Sequence, residues 1–133
     1  MEWRFWVPGP LPGLNEIVDA AKGCGGKGLA YSSMKKQWTD TVYWRSMQAN
    51  VPRLPRVRLI LEWVHTDKKR DLDNVECGQK FVWDGLVGPK DACSRGRSVL
   101  CNDGWEQNGG VEHLHSIGKS AGVWVTVIPV EAS

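Results

Sequence analysis

Val57-Arg58-Leu59-Ile60-Leu61-Glu62-Trp63-Val64, and after it Lys68-Lys69-Arg70-Asp71-Leu72-Asp73-Asn74-Val75-Glu76-Cys77-Gly78-Gln79-Lys80-Phe81-Val82-Trp83-Asp84-Gly85, is the stretch on which the fold turns. From Arg56 to Val64 the pattern alternates: Val57, Leu59, Leu61 and Trp63 fall on one side, Arg58, Ile60 and Glu62 on the other. That period of two predicts a strand with one apolar and one mixed face. Three cations follow, then two carboxylates with one residue between them. If the chain is still extended at Asp71, the Asp71 and Asp73 side chains point the same way. Asp73 then serves as an N-cap with Asn74 after it, and a helix runs on from there. At about 100° per residue, Lys80 and Asp84 fall within roughly 20° of the Asp73 direction. Val75, Val82 and Leu86 fall near the opposite side, so the expected helix has an apolar back and a charged front.

Paired carboxylates, a lysine on the same face and a basic lead-in suit metal-assisted attack on a phosphodiester. The same residues also admit a plainer account. Asp-x-Asp-Asn is ordinary helix-capping chemistry, and Glu76 with Lys80, four apart, can form a surface ion pair.

Arg70-Asp71-Leu72-Asp73-Asn74, the later lysine, Asp84-Gly85-Leu86 and Asn102-Asp103-Gly104-Trp105 together resemble the RusA-type Holliday-junction endonucleases of phages and prophages. The specific part of the resemblance is the middle third of the chain. It extends more loosely over most of the rest, including the Pro-rich N-terminal strand and Asn15. The resemblance implies a magnesium site, with manganese as an alternative, held by Asp71, Asp73 and Asp103. It makes Lys80 the charge-stabilising or water-orienting group; Asn74 and Asp84 are candidate outer partners by position, and Asp84 can equally pair with a cation. Some members of the family place the lysine four residues after the second aspartate, where this chain has Cys77; here it comes seven residues on. Four and seven residues return to roughly the same helical face. The implied activity is structure-selective cleavage of four-way junctions and related branched DNA by paired nicks that leave 5′-phosphates. A homodimer is implied with it, because two identical sites then meet matching strands of a two-fold symmetric junction. No organic cofactor is implied.

The chain has 133 residues, enough for a single domain spanning 1–133. No run of about 18 apolar residues suggests a membrane span, and no basic-then-apolar leader suggests secretion. A cytoplasmic setting, in a bacterial cell carrying the phage or prophage, is the expectation. The net charge is +2, but it is unevenly spread. Residues 1–70 carry 12 Lys/Arg against 6 Asp/Glu, and residues 71–133 carry 5 against 9. A basic half that tracks phosphates joined to an acidic half that holds cations is what a metal-dependent nuclease needs. None of the four cysteines, Cys24, Cys77, Cys93 and Cys101, forms a Cys-x-x-Cys pair, which predicts free thiols in a reducing cell. Cys93 and Cys101 with His113 and His115 also offer the inventory of a zinc site, although their spacing matches no usual finger.

Around the central stretch, Trp3 to Val7 reads as a strand stopped by the turn Pro8-Gly9-Pro10-Leu11-Pro12-Gly13. Leu14 to Ala21 reads as a short helix, and Lys22 to Gly28 as a basic, glycine-rich loop. Ser32 or Ser33 caps a helix that runs to about Ala49 on Met34, Trp38, Val42 and Met47 and ends at Val51-Pro52. Val99 to Cys101 reads as a short strand, and Asn108-Gly109-Gly110 as a hairpin turn. Val111 to Ile117 and Val123 to Val130 read as strands, and Pro129 puts the end of the last one at an edge. The expected fold is α+β, a mixed sheet of about four strands with two main helices on one face.

Lys27, Lys68, Lys69, Arg70, Lys90, Arg95 and Arg97 are the candidate phosphate contacts. Lys90, Arg95 and Arg97 lie on the polar loop Gly88 to Arg97, whose two ends must return near the site. Of the eight tryptophans, Trp38, Trp63 and Trp124 sit at core-like positions, and Trp105 is the candidate to stack on a base. Two other functions fit the same residues. One is a non-catalytic DNA-binding module built on the basic half; the other is a zinc-stabilised interaction protein built on Cys93, Cys101, His113 and His115.

Overall fold

The computed structural model describes residues 1–22 and 29–131. Cys24 and Lys27 lie outside the described residues. The elements run β1 (Trp3–Pro8), α1 (Leu14–Lys22), α2 (Leu29–Gln48), β2 (Val57–His65), α3 (Leu72–Glu76), α4 (Gln79–Val87), β3 (Asn108–Ile117) and β4 (Gly122–Pro129). The α+β class and the four-stranded mixed sheet are as expected. The strand order is β1-β4-β2-β3. β4 pairs antiparallel with both β1 and β2, and β2 pairs parallel with β3. A parallel pair cannot be closed by a tight turn, so the chain crosses over from β2 to β3 through α3, α4 and the long loop after them.

The alternation in β2 is what sets the core. Val57, Leu59, Leu61 and Trp63 are buried on its inner face, where Phe5 and Val7 of β1 and Val123, Val125 and Val127 of β4 join them. Val42 of α2, Val75 of α3, and Phe81, Val82 and Leu86 of α4 close over that face. Each such side chain contributes about 1.5–3 kcal/mol over leaving it in water. Met34, Trp38 and Met47 of α2 pack against the same cluster, following the predicted spacing. The outer face of the sheet is mixed, with Arg4–Glu62 at 3.5 Å and Arg58–Glu112 at 3.4 Å among its ion pairs. Trp124 belongs to this outer face and not to the core. It is half-buried against Trp6, with the Arg4 guanidinium 4.2 Å from its ring centre.

Several local expectations are corrected. Helix α2 begins before Ser32 and Ser33, so neither caps it. Its far end falls where expected, just before Val51-Pro52, but an unpredicted left-handed residue closes it: Asn50 takes φ +58°, and the Val51 and Asn50 N–H groups donate to the Ser46 and Met47 carbonyls. The expected single central helix is two. Asp71, not Asp73, is the N-cap of α3; its backbone is extended, and its carboxylate accepts from the Asp73 N–H at 3.3 Å. The chain breaks at Cys77 and Gly78 before α4 starts at Gln79. Gly78 is buried where a Cβ would press on Trp63, Leu11 and the Pro12 carbonyl, so close packing places the break.

Val99 to Cys101 is not a strand but part of the crossover loop. Val99 and Leu100 are fully buried, and both N–H groups donate to the Leu86 carbonyl. Burial, not sheet pairing, explains the apolar run. Asn108-Gly109-Gly110 opens β3 instead of turning a hairpin. The register against β2 shifts between Val57 and Leu59, and Gly110 takes φ +114° at this irregularity. β4 is an interior strand, but β1 stops opposite Val127, so Pro129 lies beyond its partner on that side. Cys93 and Cys101 form a disulfide, contrary to the free-thiol reading; Cys77 is free and half-buried. No helix among the described residues is long and apolar enough to cross a membrane.

Candidate functional site

α4 presents Lys80 and Asp84 one turn apart, and its back is buried by Phe81, Val82 and Leu86. It crosses α2 at Gly85, where any Cβ would collide with the Val42 side chain. That close crossing brings Lys35 of α2 within 4.0 Å of the Asp84 carboxylate and Tyr31 into contact with the Lys80 ammonium, which donates to its hydroxyl. Lys80 also lies 5.0 Å from the centre of the Tyr31 ring.

The crossover loop supplies the other half of the site. Arg53 pins it: Nε donates to the Ser98 carbonyl at 2.8 Å, Nη2 to the Cys93 carbonyl at 2.9 Å and Nη1 to Cys101 Sγ at 2.9 Å. The disulfide and this clamp fix the chain two residues before Asp103. Asp103 then shares a cleft with Asp84, near enough for its charge to act on the Asp84 carboxyl. The result is an open cleft of about 440 Å³ lined by Lys35, Gln79, Lys80, Asp84, Asp103 and Asn108, with Trp83 at its wall.

Burial pushes the Asp84 carboxyl above its usual range. Lys35 and Lys80 pull it back, while the neighbouring Asp103 pushes it up. Two carboxylates this close repel when both are ionised. A proton relieves that, and so does a divalent cation. The donor set fits magnesium, which takes hard oxygen ligands, keeps several waters and is often held by one or two carboxylates together with substrate phosphates.

The predicted residues are only partly assembled. Lys80, Asp84 and Asp103 come together. Asp71 and Asp73 stand at the start of α3 and are exposed. Among the described residues, no group of three or more His, Cys, Asp or Glu side chains is arranged to hold a metal. Asn74 is engaged elsewhere: its Oδ1 accepts from the Asn15 N–H at 2.8 Å, which ties α3 to α1. Arg70 pairs with Glu16 at 2.9 Å. The Glu76–Lys80 pair is not formed, because Glu76 bonds His115 and Lys80 bonds Tyr31.

Lys68 and Lys69 are exposed, as are Lys90, Arg95 and Arg97 on the crossover loop. Trp105 is 93% exposed, beside Asp103, and its carbonyl accepts from Arg56 at 3.1 Å. The zinc quartet does not form. The two sulfurs are bonded to each other, His113 Nδ1 accepts from Trp63 Nε1 at 2.9 Å, and His115 faces His65 and Glu76.

Sequence reasoning gave Asp84 only an outer role and missed Lys35 and Tyr31. Lys35 had a signal, a cation on the exposed side of a helix, but nothing local shows which helix crosses it. No family model matches the chain, and no curated protein matches it.

Proposed function

We propose that the chain is a magnesium-dependent endonuclease of the RusA type that cuts branched DNA, four-way junctions above all. The observation that carries the reading is the Asp84–Asp103 carboxylate pair in an open cleft beside Lys80 and Lys35. In this reading Asp84 and Asp103 hold the ion, and Asp71 and Asp73, the aspartates of the motif, which stand apart from that pair at the start of α3, become ligands only when α3 closes on the cleft around DNA. When bound, a divalent ion screens the phosphodiester and supplies an activated water. Lys80, oriented by its hydrogen bond to Tyr31, faces the charge that develops on the phosphate oxygens. Lys68, Lys69 and the loop cations Lys90, Arg95 and Arg97 fix the DNA arms through phosphates and carry no sequence information. Trp105 stacks on a base near Asp103. A homodimer places two such sites on matching strands.

The test is incubation with a mobile four-way junction and a matched linear duplex, with and without magnesium. Paired nicks with 5′-phosphates, confined to the junction and to magnesium, support the reading. Asp71→Asn, Asp73→Asn and Asp103→Asn should bind the junction and fail to cut it. Lys80→Ala should lower single-turnover cleavage far more than affinity. Junction binding with no cleavage under any divalent ion sinks the nuclease reading and leaves a DNA-binding module.

A further inference from the structure

A second polar network joins three elements and takes no part in the cleft at Asp84. His65 at the end of β2 and His115 of β3 stack with ring centres 5.2 Å apart, and His65 Nε2 lies 2.9 Å from His115 Nδ1. His115 Nε2 lies 2.6 Å from Glu76 Oε2 of α3. The carboxylate sets the direction of the chain. Ionised Glu76 only accepts, so His115 Nε2 carries the proton that it donates. With both rings neutral, His115 Nδ1 is then an acceptor, and His65 Nε2 donates to it. His65 Nδ1 is left as the lone pair at the end of the relay.

A cavity of about 340 Å³ opens at this point, with His65, His115, Lys68, Arg70, Ser116 and Asp67 on its walls and the apolar side chains of Leu72 and Ile117 completing them. Arg70 is oriented by Glu16 at 2.9 Å. Asp67 is turned toward the backbone, accepting from the Lys69 N–H at 2.9 Å. Ser116 donates to Glu62 at 3.1 Å. Two cations, one of them paired with Glu16, and an imidazole therefore share one concave surface with the Asp67 carboxylate and an apolar rim of Leu72 and Ile117.

We propose that this cavity is a phosphate-binding site in which His65, backed by His115 and Glu76, joins Lys68 and Arg70 as a third cationic contact when the anion binds. Binding takes one proton from solvent onto His65 Nδ1; no bond to phosphorus forms or breaks. The protonated ring donates to the phosphate from Nδ1 and to His115 from Nε2, and the Glu76 carboxylate balances the added charge through His115. The charged groups around His65 are Asp67, Lys68 and Arg70 of the following loop, His115 of β3, Glu76 through His115, and Glu16 of α1 through Arg70. Burial holds His65 below its usual value, with His115 and Arg70 acting in the same direction and Asp67 against them. Without a ligand it is neutral at pH 7. A bound anion favours the protonated ring, so affinity rises as pH falls toward and below about 6.5.

A backbone phosphate of DNA and free inorganic phosphate share this chemistry. The test records histidine ring-nitrogen NMR spectra of the full chain from pH 5.5 to 8. It compares inorganic phosphate, a hexathymidylate oligonucleotide and chloride at matched ionic strength. The His65 titration midpoint should rise by about half a pH unit or more with a phosphate ligand and stay put in chloride. Exposed Lys68→Ala, which leaves the relay intact, should weaken binding about tenfold. Glu76→Gln should remove the pH dependence of binding, with folding checked by its melting curve. A response to the oligonucleotide assigns the site to DNA, and a response to phosphate alone assigns it to a small anion. No response of His65 to either ligand at pH 6 overturns the proposal. The readout needs no cleavage, so failure here is distinct from failure of the metal cleft.

Discussion

The Cys93–Cys101 bond closes a loop with a sequence separation of 8. In the chain-entropy treatment, a ring of that size lowers the free energy of folding by roughly 2.5 kcal/mol by restricting the unfolded chain. The Arg53 bonds to the Cys93 and Ser98 carbonyls and the burial of Val99 and Leu100 are made by groups other than the S–S bond. The native loop should therefore keep its place, and the loss should come from the unfolded side. For a chain of this length the expected fall in Tm is about 6–9 °C. Thermal melts of the oxidised protein, of the protein in excess phosphine reductant and of the Cys93→Ser/Cys101→Ser double variant check this. The two states without the disulfide should melt together, below the oxidised one. Hydrogen exchange should quicken about tenfold at Asn102 and Asp103, next to the released bond. Melts of all three forms coinciding within about 1 °C would refute the reasoning. So would more than two reactive thiols in the oxidised, unfolded chain.

Gly85→Ala gains about 1 kcal/mol of helix propensity but drives a methyl into Val42 across the α2–α4 crossing, so urea titration should show a net loss of about 1–2 kcal/mol. A gain in stability would mean the helices are not packed there. Asp84 binds more protons folded than unfolded, because its folded pKa is raised. Wild-type stability should therefore fall as pH rises from the usual carboxylate value through the raised one, and the loss should persist at pH 7. Asp84→Asn should remove that decline and raise metal-free stability at pH 7; parallel pH profiles would contradict it. Neutralising Lys90, Arg95 and Arg97 together should flatten the salt dependence of junction binding by about 2–3 units of log–log slope, with little change in cleavage at saturating enzyme. Superimposable salt titrations would reject the loop's contact with DNA.

Strong periodicity made most of the fold legible. β2 announced itself through four alternating apolar residues, and α2 through Met34, Trp38 and Val42. Three of the segments that differ from expectation lie where tertiary packing overrides a local signal. Asn108-Gly109-Gly110 looks like a hairpin because the same glycines serve a bulge, and only the parallel neighbour β2 distinguishes the two. Val99-Leu100 looks like a strand because a buried loop is as apolar as one. The break at Gly78 was hidden by residues that read well as helix on both sides, and it depends on contacts with Leu11 and Trp63, far away in sequence. At the site, Lys80 and Asp84 were legible because one helix presents both. The Asp84–Asp103 pairing was not, since it depends on how a disulfide and Arg53 fold a twenty-residue crossover. The two histidines of the relay come from neighbouring parallel strands, and no spacing rule relates them.

Manganese binding to the metal-free protein, read by electron paramagnetic resonance without DNA, tests the cleft most directly. A divalent-cation centre at Asp84 and Asp103 predicts saturable binding that Asp103→Asn weakens by about tenfold or more, while Asp91→Asn, on the exposed part of the same loop, leaves it unchanged. Equal affinity in the wild type and Asp103→Asn would contradict it.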